Sequence, residues 1–166
     1  MSALSVLFLV LPFPIAIALH KMEEAYALPR WMAKHKDELL ARYPKYAKQI
    51  EVRALYTTKS IATKAAFEVT AVIVLTCCML VNKWIPTWIL KDLWSYLFIV
   101  FGFHLACRIV QSIVLRRYVP GLATSILAMP LIVMGTHSIW LTTDAAQLAV
   151  FFALGVYVTV RRYKDF

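Results

Sequence analysis

Apolar residues fill nearly every position from Leu4 to Leu19, and the helical pattern continues through His20-Lys21-Met22-Glu23-Glu24 to Pro29. Four more apolar runs follow, at about Lys64 to Val81, Leu93 to Leu115, Pro120 to Leu141 and Ala145 to Val160. Each is long enough to cross a bilayer as a helix, the last only with its flanks included. The spacing predicts an all-α, polytopic membrane helix bundle of one domain, with five transmembrane helices at about 4–28, 64–81, 93–115, 120–141 and 145–160.

The only long polar stretch, residues 29–63, interrupts this series. Asp37-Glu38-Leu39-Leu40-Ala41-Arg42-Tyr43 reads as a short helix ended by Pro44, which opens a second one over Lys45 to Glu51. Trp31, Leu39, Tyr43, Tyr46, Ile50 and Leu55 give it a partial apolar face among lysines and arginines, so it reads as an amphipathic cytoplasmic surface segment, or as a cover over a cavity mouth. Tight turns are expected at Asn82-Lys83-Trp84-Ile85-Pro86, Tyr118-Val119-Pro120-Gly121 and Thr142-Thr143-Asp144. Ala16-Ile17-Ala18 mimics a signal-peptidase site, but no Lys or Arg precedes it, so the first run is expected to stay as a membrane helix.

Composition agrees with this class. Of 166 residues, 61% are hydrophobic and 16% charged, and there are 4 glycines, which is too apolar for a soluble domain. The net charge of +9 would suit nucleic acid, but the basic residues fall between apolar runs, where they set topology. Residues 29–63, the Arg116-Arg117 turn and the C-terminal tail hold nearly all Lys and Arg, against Lys83 and Lys91 on the other side. The positive-inside rule then puts the N-terminus outside and the C-terminus in the cytoplasm. Cys77, Cys78 and Cys107 all fall in apolar runs and read as small buried thiols.

Candidate chemistry comes from the ionisable residues inside these runs. On insertion scales each costs about 2.5–3.5 kcal/mol at the bilayer centre, so each marks a site by default. His20, Glu23 and Glu24 share a helical face at spacings of three and four. At ~1.5 Å per residue, His20 lies ~15 Å inside Arg30, and the two glutamates ~10 Å. On the third run Arg108 lies ~12 Å and His104 ~18 Å inside Arg116, and Glu68 lies ~6 Å inside Lys64. Three helices thus bring imidazole, carboxylate and guanidinium groups to one depth, which predicts a shared polar cavity. His35 reads as solvated, Gln111 as an interhelical hydrogen-bond former, and His137 as an interfacial residue near Trp140.

Two histidines and three carboxylates form a ligand set for zinc or non-haem iron. His20, Glu24, His104 and Glu68 are the expected metal ligands, with Glu23 as the base that activates water. Arg108 is expected to hold an anionic headgroup or a developing oxyanion. The order His20-x-x-Glu23 reverses the Glu-x-x-His of helix-bundle di-iron proteins. It also resembles part of inverted zinc-protease motifs, except that Glu24 stands where their second histidine would be. A metal-free alternative pairs Glu23 or Glu24 with Arg108, for packing or for proton relay. For Glu68, a simple pair with Lys64 competes with a ligand role.

His20-Lys21-Met22-Glu23-Glu24 at the end of a first apolar run resembles the signature of the HXXEE family of membrane proteins. His104, then Arg116-Arg117-Tyr118-Val119-Pro120-Gly121 and Pro130, extend the similarity over most of the chain, although the sharp motifs cover about twenty residues. The resemblance implies an active site at His20, Glu23 and Glu24, and implies nothing about Glu68 or Arg108. The expected activity is that of a metal-dependent membrane enzyme, a hydrolase acting on a lipid or other apolar molecule in the cytoplasmic half of the bilayer. Di-iron oxidation of an acyl chain, or a proton-coupled small transporter or ligand-binding protein, are the alternatives.

Overall fold

The computed structural model of the chain describes residues 11–81, 87–140 and 145–164. They form six helices and one 3-10 turn, with no strand among them. In order these are α1 (Pro12–Arg42), the turn Pro44–Tyr46, α2 (Ala47–Ala54), α3 (Thr58–Val81), α4 (Thr87–Leu115), α5 (Leu122–Trp140) and α6 (Ala145–Lys164). The start of the first expected span and the expected turns at 82–86 and 142–144, with Trp84, lie outside the described residues. Two stretches, Thr58–Val81 and Trp88–Leu115, are long and apolar enough to cross a membrane, while Leu122–His137 and Ala149–Val158 are apolar but shorter.

The clearest departure from expectation is α1. It does not end before Pro29 but runs through it as one helix of 31 residues, about 46 Å long at the usual rise. A proline inside a helix forfeits one backbone hydrogen bond. Tertiary contacts offset that loss, because the extension is anchored on both sides of the proline. Leu28, Met32 and Leu39 pack with Ile50 of α2 in a small apolar cluster, and Trp31 Nε1 donates to the Tyr118 carbonyl at 2.9 Å. The polar segment therefore folds partly onto α1, leaving Tyr46 and Leu55 of its apolar face exposed. His35 is not freely solvated either: it stacks on Trp31, with Nδ1 2.9 Å from the Trp31 carbonyl. Pro12 and Pro14 fall in the first turn of the described helix, where a missing N–H costs little.

The main core lies where α1, α3, α4 and α5 meet, around Phe13, Ile17, Leu75, Phe98, Phe101 and Ile132. Close approach of α4 and α5 depends on Gly135, where a Cβ would stand 2.3 Å from the Phe98 ring. The outer faces are apolar as well, with Phe67 77% and Leu127 79% exposed. Cys77 is exposed, contrary to the buried reading, and Cys78 and Cys107 are half-buried.

The α4–α5 connection carries the site's backbone. Arg116 takes a left-handed conformation (φ 51°) and Gly121 a positive φ of 92°. Val119, Pro120 and Gly121 are buried, so this turn is tucked under α1.

Candidate metal and acid–base site

His20 and Glu24 stand one turn apart on α1, and His104 and Arg108 one turn apart on α4. Helix packing turns both pairs inward. His20 is fully buried, Glu24 is 4% and Arg108 7% exposed. Glu24 Oε1 accepts from Arg108 Nε at 2.7 Å, from Arg108 Nη2, and from His104 Nε2 at 3.1 Å. Its other oxygen lies 3.5 Å from Lys21 Nζ. The imidazoles of His20 and His104 meet edge to face at 5.0 Å between centroids. The structure thus brings His20, Glu24, His104 and Arg108 together.

One atom in this network has no hydrogen-bond partner: His20 Nε2, buried and 3.6 Å from Glu24 Oε1. The far side of the ring fixes which tautomer a neutral His20 adopts. His20 Nδ1 lies 2.9 Å from Thr124 Oγ1, and Thr124 Oγ1 donates to Glu23 Oε2 at 2.5 Å. A hydroxyl has one proton, and a carboxylate can only accept, so Thr124 must accept from His20 Nδ1–H. In neutral His20 the lone pair then sits on Nε2, aimed at the Glu24 carboxylate, an arrangement a cation between them would relieve.

Ligand atoms of His20, Glu24 and His104 all lie within 4.8 Å of one another. They fit a divalent ion on three counts. The donors are two imidazoles and a carboxylate. The second nitrogen of His20 is held by a hydrogen bond, as metal-bound histidines usually are. A cavity of about 110 Å³, lined by Glu24 and His104, leaves room for a further ligand.

Glu23 is placed differently from the base expected of it. Its carboxylate accepts from Tyr118 Oη, from Gly121 N and Thr124 N at 2.9 Å each, and from Thr124 Oγ1. Gly121 immediately precedes α5 and Thr124 lies in its first turn, so Glu23 acts as a capping carboxylate supplied by another helix. It touches the His20 ring only through Thr124 and does not line the cavity. Tyr118, in the turn, has its phenol pushed up to about 12 by burial and then by its bond to Glu23, so it remains an O–H donor.

Glu68 lies on the cavity lining but outside the group of three. Its partner is Lys21 Nζ at 2.8 Å; Lys64 instead stands 4.9 Å from the Tyr56 ring centroid. Gln111 bonds Arg108 of its own helix at 3.1 Å, not a neighbouring helix. His137 is exposed. Sequence reasoning missed Thr124 and read Tyr118 and Gly121 as a turn within the family resemblance, not as site residues. A Cβ on Gly121 would meet His20 Cε1 at 3.0 Å and Glu24 Cγ at 3.4 Å, so the turn backbone is itself a wall of the site.

No curated protein and no solved structure matches the chain. Residues 11–135 match the family described as proteins of unknown function with an HXXEE motif. That stretch includes α1 with His20, Glu23 and Glu24, α4 with His104 and Arg108, and the turn that packs on them, and the chain belongs to the HXXEE-motif family.

Proposed function

We propose that the protein is a single-domain, multi-pass membrane enzyme that binds zinc or iron and hydrolyses a lipid or other apolar substrate in the cytoplasmic leaflet. The observation that carries this reading is the buried His20 Nε2, without a hydrogen bond and 3.6 Å from Glu24 Oε1, in a group with His104 beside a cavity. Five spans, N-terminus outside, are supported by the distribution of Lys and Arg and by the apolar outer faces of α3 and α5. His20, Glu24 and His104 would hold the divalent ion, and its chemistry there would be Lewis acidity toward an ester or phosphoester and toward water.

The chain's own groups supply the rest. Arg108 holds negative charge on the substrate while keeping Glu24 oriented. Glu68, on the cavity lining, takes the proton lost by water, and Lys21, 2.8 Å away, gives one to the leaving oxygen. Water adds across the bond, yielding an acid and an alcohol. Glu23 and Thr124 orient His20. Only one carboxylate reaches the group of three, so di-iron chemistry, which calls for several, draws less support.

The test is release of acid from a pool of acylglycerols and lysophospholipids by the purified protein. The reading expects release that stops with chelator, returns with zinc or iron, and is absent in a folded His104→Ala variant. Release indifferent to chelator contradicts it. One observation favours a second reading: Arg108 Nε already sits 2.7 Å from Glu24 Oε1, a paired network suited to a proton-coupled transporter. That reading expects pH-driven uptake into liposomes by metal-free protein.

A further inference from the structure

Two cavities share the site as a common wall. The first is a chamber of about 110 Å³ whose charged lining is Lys21, Arg53, Lys64 and Arg108 against Glu24 and Glu68. Four cations against two carboxylates leave a formal excess of two positive charges around a small space. At ~30 Å³ per water, the chamber has room for a few waters or one tetrahedral oxyanion. Arg53 comes from α2, so the polar segment contributes to the lining of this chamber.

The second cavity is a groove of about 560 Å³ whose lining is mostly apolar, with Phe67, Ala71, Val100, Phe101 and Val158, and also includes Arg161. Its size falls within the ~300–1,000 Å³ of pockets that hold an organic ligand. α3 packs on α1 and α4, and α6 packs on α4, while α3 and α6 make no substantial contact with each other. The groove therefore lies between α3 and α6 with α4 as its floor. Lys21, Glu68 and His104 line both chamber and groove.

A basic chamber beside an apolar groove, with Lys21, Glu68 and His104 in the lining of both, matches a molecule with an anionic head and a hydrocarbon tail. We propose that chamber and groove form one binding site for a single-chain anionic lipid, with a phosphate head in the chamber and the acyl chain along the groove. As an assignment of substrate this rests on the enzymatic reading above; as an assignment of binding it is tested without turnover. Phosphate suits fixed Arg and Lys donors because its oxygens accept several charge-assisted hydrogen bonds at once.

The experiment is equilibrium binding to the full chain in detergent, with chelator present, using tritiated palmitoyl lysophosphatidate. Monopalmitoylglycerol has the same chain without the charge, hexanoyl lysophosphatidate the same head with a short chain, and palmitate a carboxylate head. The phosphate-headed long-chain probe is expected to bind about tenfold or more tighter than each of these. Arg53→Ala is expected to weaken it and to leave monopalmitoylglycerol unchanged. Ala71→Trp, which fills the groove, is expected to weaken the palmitoyl probe and to leave the hexanoyl one unchanged. Equal binding of the neutral probe, the short probe or palmitate overturns the proposal, and the wild-type comparison decides this even if a variant does not fold. Phosphate-lipid preference in a protein that takes up no metal would defeat the enzymatic reading alone; bound metal without that preference would defeat this proposal alone.

Discussion

His20 Nδ1 lies 2.9 Å from Thr124 Oγ1, across 104 positions of chain, and this contact decides which imidazole nitrogen faces the cluster. Because Thr124 spends its proton on Glu23, metal-free His20 is expected to carry its hydrogen on Nδ1. Nitrogen-15 spectra of selectively labelled histidine would read this as a pyrrole-type Nδ1 and a pyridine-type Nε2. Thr124→Val, close in shape but without the hydroxyl, is expected to weaken metal binding about 10–100-fold at unchanged helix content. Unchanged affinity would remove the orienting role.

Glu24 and Arg108 form the buried ion pair at the centre of the site. Glu24→Ala leaves a guanidinium buried without its anion and is expected to cost about 3–5 kcal/mol of stability. The double change Glu24→Leu with Arg108→Met removes both charges and should recover most of that loss. Denaturant unfolding in detergent measures both, and a single change costing under about 1 kcal/mol would contradict the pairing.

Gly121 combines a positive φ with contact against the His20 ring. Gly121→Ala is expected to cost about 1–3 kcal/mol from the backbone alone. It should also push His20 out of register, so metal binding falls further than stability does. Thermal unfolding and metal titration on the same sample separate the two effects.

At the surface, Glu38 accepts from both terminal guanidinium nitrogens of Arg117. These bonds hold its carboxyl below the usual range. A depressed carboxyl stabilises the fold above the ordinary carboxylate range, and that contribution disappears as pH falls through the folded value. The stability gap between wild type and Glu38→Gln should therefore close on acidification. It should also close in high salt at neutral pH, since neither group is buried. Unfolding temperatures across pH and salt check this, and a gap that persists in acid would contradict it.

The part of the site that could be read in the sequence is the part written in helical spacing. His20 with Glu24, and His104 with Arg108, recur at four, and ionisable groups at equal depth have reason to meet. What spacing cannot encode is how each helix rotates against the others. Glu23 is one residue from Glu24, about 100° round the helix, and that step takes it from the cavity to the end of α5. Nothing local pairs Glu23 with Thr124 and Gly121, nearly a hundred positions away. Glu68 likewise chose Lys21 on a neighbouring helix over Lys64 on its own. Pro29 misled for the same reason: its local preference to end α1 was outweighed by contacts of Trp31, Met32 and Leu39 with distant residues.

The most direct measurement is elemental analysis of protein purified in detergent without added metal or chelator. The account predicts about one zinc or iron per chain in the wild type, and its loss in His20→Ala and His104→Ala variants that keep their helix content. Metal-free wild-type protein that takes up neither ion on titration, or variants that bind as the wild type does, would contradict it.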